Sequence, residues 1–432
     1  MKVLFVYPRF NRHADSHPEL RQFVPMNEYL GSPSLGISCV AAVTPPDWEI
    51  EFRDDRVADA SGPTDADIVA LSFFTPAATR GLELADHFRA RGHTVVAGGI
   101  FPTAMPDEVA PHVDAVVVGE GEGVWPILLE DFAAGRLRQR YDAMEVRLDL
   151  RSVPPPRTSL YFGAEREGCR PDDYPLQLSR GCSLSCHACT LPHSMGNHLR
   201  PFPIEHVLAQ LAAMEAAGKR ACLTEDTSWL PGGGKRVLEQ LLDFLIERGQ
   251  GATVSYIGTS FPMIRASSMQ LLRKAKAAGI DMFYLVTGFD PVSMRAWTGE
   301  HPAALARAEE AIAKAFDAGI EPYTSFLYGG DQDDEGTVDR VLEFCQRTGI
   351  RKAEFAIATP YPNTPQWHQL VAEDRIFTRH WALYNDANPV FMAAKLTPDQ
   401  VVDGYLRLWK EFYAPRAGVV GGMSDYERII QF

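Results

Sequence analysis

The amino-acid sequence predicts an α/β protein in which a doubly wound parallel sheet is followed by a partial barrel. The first observation is a recurring order of elements. An amphipathic helical run ends at a glycine, and a short apolar run follows, as in LADHFRARGHTVVAGG and AIAKAFDAGIEPYTSFLYGG. The glycine supplies a left-handed helix cap, and the apolar run suits a strand that is buried on both faces. Repeated units of this kind form parallel sheets.

The second observation is a single break in this order. Between about residues 140 and 175, three consecutive prolines occur without a sustained hydrophobic period, which is typical of a linker. Five predicted strands precede the break and suit an open doubly wound sheet, and six follow it and suit a partial (β/α)6 barrel. Aromatic residues on helical segments end the chain and predict a small helical cap. The predicted regions are 1–140, a Rossmann-like domain; 141–174, a linker; 175–375, the partial barrel; and 376–432, the C-terminal helical region.

Composition excludes several classes of protein. The formal net charge is -14, whereas nucleic-acid binding usually requires a basic surface. Seven cysteines in 432 residues do not form a secreted disulfide framework. The N-terminal apolar run is too short for a signal peptide, and no stretch approaches the roughly 18 apolar residues that cross a bilayer. We therefore expect a cytoplasmic protein with reduced thiols, no nucleic-acid partner and a small-molecule substrate.

The segment SRGCSLSCHACTLPH places Cys182, Cys186 and Cys189 close together. It includes the end of the apolar run PLQLSRG, so we expect the cysteines in a loop at the carboxyl end of the first barrel strand. Barrels of this type place their chemistry there. That position favours a functional role over an accidental cluster of core cysteines.

Two kinds of metal centre fit these thiols. One is a zinc site of three cysteines and one histidine. Its histidine could be His187, His193 or His198. The other is an iron–sulfur cluster held by three thiolates. Such a cluster leaves one iron without a protein ligand, and that iron can bind a substrate or cofactor.

The spacing Cys-x3-Cys-x2-Cys at this place resembles the signature of radical SAM enzymes. The resemblance implies a [4Fe-4S] cluster whose open iron chelates the amino and carboxylate groups of S-adenosyl-L-methionine (SAM). Reduction of such a cluster cleaves SAM to methionine and a 5′-deoxyadenosyl radical. One position departs from the family pattern. The residue before the third cysteine is usually aromatic and lies against the adenine, whereas here it is Ala188.

Polar residues at the ends of later barrel strands are candidate contacts of SAM or substrate. The family usually places acidic groups near the SAM amino group at the end of the second strand, where this chain has Glu225 and Asp226. A carboxylate there would pair with an ammonium group. The alternative is that these residues only cap the following helix. At the next strand ends the candidates for ribose or substrate are Thr259, Ser260, Thr287 and Asp290.

The N-terminal region resembles the cobalamin-binding domain that precedes many radical SAM barrels. Its strand ends, SFFT, GGIFPT and GEGE, carry glycines and hydroxyls that let a large flat ring approach the backbone. The alternative is a degenerate domain that has lost its cofactor and only shapes the active site. The candidate cobalamin contacts are Ser72, Thr75, Gly98, Gly99, Thr103, Gly119, Glu120, Gly121 and Glu122.

Cobalamin domains of the mutase kind carry Asp-x-His-x-x-Gly, whose histidine ligates cobalt, and residues 1–150 lack this motif. We expect the histidines of this region, including His13 and His17, to be solvated. The segment RFNRHADSHPELRQFVPMNEYLGS is longer than a usual βα loop. Long loops at strand ends are often functional, so this one is expected to close over cofactor or substrate.

Two classes of function follow from the resemblance. The first is a cobalamin-dependent radical SAM methyltransferase that acts on an unactivated carbon of a small biosynthetic intermediate. The second is a radical SAM cyclase or rearrangement enzyme in which cobalamin is absent or is not the methyl carrier. Either enzyme needs a low-potential electron donor such as flavodoxin or ferredoxin. A zinc-binding module without enzymatic activity is a third, more distant alternative.

Overall fold

The computed structural model describes residues 1–11, 13–23, 32–144, 148–166, 171, 173–184, 186–224, 226–231, 233–249, 253–288 and 293–414. Two parallel sheets of six strands each form its body. None of the helices in these ranges is both long enough and apolar enough to span a membrane.

Six strands form the first sheet: Lys2–Tyr7 (β1), Glu49–Asp54 (β2), Ile68–Ser72 (β3), Thr94–Gly98 (β4), Ala115–Val118 (β5) and Arg140–Asp142 (β6). Their order is β2-β1-β3-β4-β5-β6, and every pair is parallel. The order reverses between β1 and β3, and doubly wound sheets bind ligands at such a switch point, outside the carboxyl ends of the strands. The doubly wound prediction is confirmed. The sixth strand lies where the sequence predicted the linker to begin.

Helices pack on both faces of this sheet. Because side chains of a strand alternate between its faces, Val3 and Phe5 of β1 enter one apolar core and Leu4 and Val6 enter the other. The α-helices of this part are His13–Ser16 (α1), Leu35–Ala42 (α2), Ala78–Arg89 (α3), Ile100–Ala104 (α4), Pro106–Val109 (α5), Trp125–Ala133 (α6) and Ser159–Ala164 (α7). The 3-10 helices are Pro18–Gln22, Thr75–Ala77, Ala110–His112 and Gly121–Gly123.

Eight more strands follow: Asp173–Pro175 (β7), Ser179–Arg180 (β8), Arg200–Pro201 (β9), Arg220–Leu223 (β10), Val254–Thr259 (β11), Met282–Val286 (β12), Glu321–Tyr328 (β13) and Lys352–Ile357 (β14). The second sheet has the order β14-β13-β12-β11-β10-β7, and its neighbours are parallel. Each strand therefore lies beside the next parallel strand of the chain, as in a barrel that does not close. The partial barrel is confirmed.

The first barrel strand differs from the prediction. The sequence placed it at PLQLSRG, but β7 ends at Pro175. The Leu178 carbonyl accepts a hydrogen bond from the Phe202 amide at 2.9 Å, and β8 pairs antiparallel with β9. The chain therefore leaves the sheet before the cysteine loop, because its backbone bonds go to the antiparallel pair with β9.

Helices connect the strands of the barrel and extend beyond it. The α-helices are Leu191–Met195 (α8), Ile204–Ala216 (α9), Gly234–Arg248 (α10), Phe261–Ala266 (α11), Met269–Ala277 (α12), Ser293–Ala296 (α13), Pro302–Asp317 (α14), Thr337–Thr348 (α15), Pro365–Ala372 (α16) and Pro398–Tyr413 (α17). Two 3-10 helices, Asp226–Trp229 and Trp381–Leu383, complete this part.

The C-terminal helix α17 closes one side of the barrel. It begins at a capping box in which Thr397 and Gln400 satisfy each other's backbone amides. Its aromatic face packs on β14, where the Trp409 indole donates a 3.1 Å hydrogen bond to the Phe355 carbonyl. The predicted helical cap is therefore present over the described residues of this region.

The expectation that His13 is solvated is wrong. His13 in α1 is fully buried, and its Nδ1 lies 2.5 Å from the Tyr405 hydroxyl on α17. Half-buried His17 reaches the Ala387 carbonyl with its Nε2 at 2.7 Å. The long N-terminal loop thus packs, in its described part, against the C-terminal region, because α17 offers an aromatic face that the barrel alone does not cover.

The packing of α17 on β13 generates a test of the fold. Gly404 lies inside α17, where an added Cβ would overlap the hydroxyl of buried Tyr328, whereas a Cβ at the exposed Gly163 in α7 would meet nothing within 4 Å. Alanine usually stabilises a helix relative to glycine by about 0.5–1 kcal/mol. Gly163→Ala should therefore raise the apparent free energy of unfolding in urea, and Gly404→Ala should lower it by about 1–3 kcal/mol through overpacking. Stabilisation by both substitutions would contradict this packing.

Candidate cofactor and active site

A cavity of about 570 Å³ lies at the carboxyl edge of the first sheet. Strand residues such as Phe5, Ala70 and Val96 form one wall, and Ile37 and Val40 of α2 form the opposite wall. The slot between sheet and helix is apolar, so it suits the flat heterocycle of a nucleotide tail. It lies at the β1/β3 switch point, where the fold places a ligand.

Most of the predicted cobalamin contacts line this cavity. Thr75 does not line it and is buried in the 3-10 helix Thr75–Ala77. The roles of all nine residues in binding cobalamin stay predictions. Those on the cavity wall are Ser72, Gly98, Gly99, Thr103, Gly119, Glu120, Gly121 and Glu122.

Glycine is required at this edge because the backbone segments approach closely. Gly99 has φ of +102°, and a Cβ there would lie 2.7 Å from the Phe73 carbonyl oxygen. The Thr103 hydroxyl accepts a 2.9 Å hydrogen bond from the Gly119 amide and joins the loops that follow β4 and β5. These residues present backbone rather than side chains to a ligand, which fits the approach of a large ring.

The barrel also contributes to this cavity, through Gln177, Arg180 and Thr224. Arg180 donates hydrogen bonds to Glu120 at 3.0 Å and to Glu122 at 2.5 Å. The sequence proposed these two carboxylates as cofactor contacts. The structure pairs both of them with an arginine that sequence reasoning missed, two positions before the first cysteine of the motif.

The ion pair is almost completely enclosed. The side chains of Arg180 and Glu122 are only 5% and 4% exposed. Burial alone would raise the pKa of Glu122, but Arg180 holds that pKa below its usual value. Burial raises the pKa of the neighbouring Cys39 thiol to about 12, so Cys39 stays protonated at neutral pH.

The cysteine loop begins at a position that only glycine can occupy. Gly181 has φ of +73°, and a Cβ there would overlap the His198 carbonyl oxygen. Cys182 is buried, and its sulfur accepts a 3.4 Å hydrogen bond from the Leu184 amide. Cys186 and Cys189 are half-buried.

These features fit an iron–sulfur cluster. Hydrogen bonds to ligand sulfurs stabilise thiolates and tune cluster potential, and the Leu184 amide supplies one to Cys182. The loop is also held from the opposite side, since the His187 carbonyl accepts a 3.1 Å hydrogen bond from the Gln366 amide at the start of α16.

A second cavity, of about 200 Å³, lies beside the cysteine loop. Ala188 lines it, as do residues that follow β13 and β14, including Gly330, Asp333 and Tyr361. Ala188 stands where the family pattern has an aromatic residue, and Tyr361 brings an aromatic ring to the same cavity from another element. Burial raises the pKa of Asp333 to about 6, against the hydrogen bond that it accepts from the Gly330 amide.

The predicted SAM and substrate contacts at other strand ends have mixed outcomes. Thr259 and Thr287 are fully buried, line neither cavity, and have hydroxyls without a hydrogen-bond partner among the described residues. Ser260 is buried and also lines neither cavity. Glu225 and Asp290 lie outside the described residues, and Asp226 is described only as the start of a 3-10 helix. Their roles stay predictions.

Asp386 is the only described residue that lines both cavities. It has φ of +61°, a left-handed conformation that residues other than glycine seldom adopt. Its carboxylate accepts a 2.7 Å hydrogen bond from the Tyr361 hydroxyl, and its carbonyl accepts one of 2.6 Å from Ile357. Sequence reasoning missed Asp386. The local signal was the polar pair Asn-Asp within an aromatic-rich segment.

The N-terminal loop fixes the backbone next to Asp386. The buried Asn385 donates hydrogen bonds from its Nδ2 to the Asn11 carbonyl at 2.9 Å and to the Ser16 hydroxyl at 3.0 Å. The described part of this loop therefore supports the junction of the two cavities.

Comparison with known proteins agrees with this geometry. Residues 32–129 match the B12 binding domain family. The chain is 27% identical to bacteriochlorophyllide d C-8(2)-methyltransferase of Chlorobaculum tepidum over 88% of both chains. It is 24% identical to hopanoid C-2 methylase of Rhodopseudomonas palustris, over 96% of this chain and 76% of the relative.

A solved structure has the same fold. It is the radical S-adenosylmethionine methyltransferase TsrM from Kitasatospora setae, with cobalamin and a [4Fe-4S] cluster bound. The TM-score is 0.63 at 15% identity, over 86% of this chain and 78% of that one. This fold, the match to the B12 binding domain and the methyltransferase relatives confirm the resemblance to radical SAM enzymes with a cobalamin-binding domain that the sequence showed. In this chain the B12 binding domain comes first, and the barrel with the cysteine loop follows.

The cysteine loop generates a second test. Replacing Cys182, Cys186 or Cys189 with alanine should remove the cluster and SAM cleavage together, because each thiolate is predicted to be one of three protein anchors. Cys345→Ala is the matched control, since Cys345 is a buried thiol in α15. Iron and sulfide analysis after anaerobic reconstitution, with the visible charge-transfer absorption, measures the outcome. A triple loop variant that kept the absorption would contradict the assignment.

Proposed function

We propose that this chain is a cobalamin-dependent radical SAM enzyme that methylates an unactivated carbon of a small biosynthetic intermediate. The main supporting observation is that Asp386 lines both the cavity of the B12 binding domain and the cavity beside the cysteine loop. When bound, SAM on the reduced cluster supplies a 5′-deoxyadenosyl radical, and cobalamin supplies the methyl group. A substrate at the junction would face both groups.

In this proposal the residues of the chain hold the two cofactors and orient the substrate. The glycine-rich edge at Gly98, Gly99 and Gly119 would carry cobalamin, and the three loop cysteines would carry the cluster. The strand-end residues predicted from the sequence remain proposed contacts of SAM. Asp386 would accept a hydrogen bond from a donor group of the substrate, because its carboxylate is anchored by Tyr361 but is only half-buried.

The proposal also covers the electron donor, the compartment and the domain limits. We propose flavodoxin or ferredoxin as the class of electron donor and the cytoplasm as the compartment. The four regions 1–140, 141–174, 175–375 and 376–432 are proposed as the domain limits. The similarity to the bacteriochlorophyllide and hopanoid methyltransferases and to TsrM supports methyl transfer over cyclisation or rearrangement.

Product mass separates the two classes of reaction. The chain should be reconstituted anaerobically with iron, sulfide, SAM and cobalamin, and then incubated with a reductant and small molecules extracted from the host. We expect a product heavier than its substrate by one CH2 unit, formed by the native chain and not by Cys182→Ala. A product that loses hydrogen without gaining carbon would identify the cyclase class instead.

The environment of cobalt generates a further prediction. The described residues that line the first cavity include no histidine, and His13 bonds to Tyr405 instead. Cobalamin should therefore bind with its own base displaced and without an imidazole of the protein as a ligand of cobalt. The identity of the axial ligand is one of the main ways in which a protein tunes a metal cofactor. Electron paramagnetic resonance of the cob(II)alamin form should lack nitrogen superhyperfine splitting from an axial ligand. Such splitting would refute the prediction, and failure to retain cobalamin would favour the second class of function.

Asp386 can be tested against a matched aspartate. Asp374 also has a left-handed backbone, with φ of +53°, but lines neither cavity. Asp386→Asn should lower the rate of product formation by about tenfold or more, since small losses of orientation are costly. Asp374→Asn should leave the rate near that of the native chain. Equal rates in the two variants, at equal iron and cobalt content, would exclude Asp386 from the substrate site.

A further inference from the structure

We infer that Arg180 is a positioning residue that fixes the cluster loop against the B12 binding domain. Its guanidinium has three polar partners besides Glu122. Nη1 donates to Glu120 at 3.0 Å, Nε donates to Gln177 at 3.0 Å, and Nη2 lies 3.4 Å from the Cys39 sulfur. The contact itself does not depend on the proposed function. The inference rests on the proposed function only where it says that this contact sets the separation of cobalamin and the cluster.

On the barrel side, Arg180 is rigidly connected to the cluster loop. Only Gly181 separates it from Cys182, and Gly181 is pressed against the backbone of residues 196–198. The Cys182 amide donates a 3.2 Å hydrogen bond to the Gly196 carbonyl in the same contact. A displacement of Arg180 would therefore move the first anchor of the cluster.

On the other side, Arg180 binds the loop that carries part of the cobalamin cavity. Glu120 and Glu122 alternate with Gly119 and Gly121, and all four residues line the first cavity. The carboxylates cannot shift without moving the glycines between which they stand. One guanidinium thus determines where the cavity edge and the cysteine loop lie relative to each other.

The network is balanced in charge, and its side chains are largely buried. Arg200 also binds Glu120, at 2.7 Å, so two arginines neutralise two carboxylates. The planar guanidinium can bond two carboxylates and an amide oxygen at fixed angles, whereas a lysine ammonium is a point charge on a flexible stem. Arg180→Lys keeps the charge but should lose this geometry.

The direct experiment measures the separation of the two cofactors. In the reconstituted full chain, cob(II)alamin and the reduced cluster are both paramagnetic, so their magnetic coupling reports the distance between them. We expect one narrow distance in the native chain and a broader or shifted distribution in Arg180→Lys and Arg180→Met. The matched control is Arg248→Lys, because Arg248 makes a bidentate pair with Glu215 between two barrel helices, at 2.6 and 2.8 Å.

A second measurement does not depend on the cofactors. Amide hydrogen exchange of the full chain without cofactors should become about tenfold faster at residues 119–123 and 180–182 in Arg180→Met, because local opening costs less free energy. The double variant Arg180→Met, Glu122→Gln removes the buried unpaired charge and keeps the test valid if the single variant does not fold. Its exchange should also be faster than that of the native chain.

The outcomes separate this inference from the proposed function. A native chain that retains no cobalamin contradicts the proposed function, and hydrogen exchange then still tests the role of Arg180. Unchanged exchange at both segments, or a cofactor separation in Arg180→Lys equal to that in Arg248→Lys, would overturn the inference.

Discussion

The buried ion pair between Arg180 and Glu122 is the contact on which the arrangement of the whole site depends. It crosses from the barrel to the first sheet at the place where the carboxyl ends of both sets of strands meet. Removing one partner of a buried pair leaves an uncompensated charge, which typically costs about 3–5 kcal/mol. The two parts of the chain therefore cannot separate at this point without a large loss of stability.

A second set of contacts closes the opposite side of the site. The N-terminal segment reaches over the first sheet to the C-terminal region, where His13 meets Tyr405 and Ser16 meets Asn385. Asp386 follows directly and stands between the two cavities. Residues of the N-terminal and C-terminal segments thus combine at the proposed substrate position, where Asp386 lines both cavities.

Much of the fold could be predicted from the sequence because its signals are local. Apolar strands, glycine caps and the cysteine spacing each lie within a few residues, and they predicted both sheets and the cluster loop. The first barrel strand was misplaced because the end of PLQLSRG leaves the sheet and pairs with Arg200–Pro201. That pairing depends on residues about 20 positions away in the sequence. Arg180 and the burial of His13 were missed for the same reason. The partner carboxylate of Arg180 is 58 positions away, and Tyr405 lies 392 positions from His13.

The central claim is that one chain holds a cobalamin and an iron–sulfur cluster on either side of Asp386. Anomalous X-ray scattering at the iron and cobalt edges, from a crystal of the reconstituted chain, tests it most directly. The account predicts an iron signal at Cys182, Cys186 and Cys189 and a cobalt signal at the glycine-rich edge of the first sheet. A zinc signal at the cysteines, or a cobalt signal away from that edge, would contradict it.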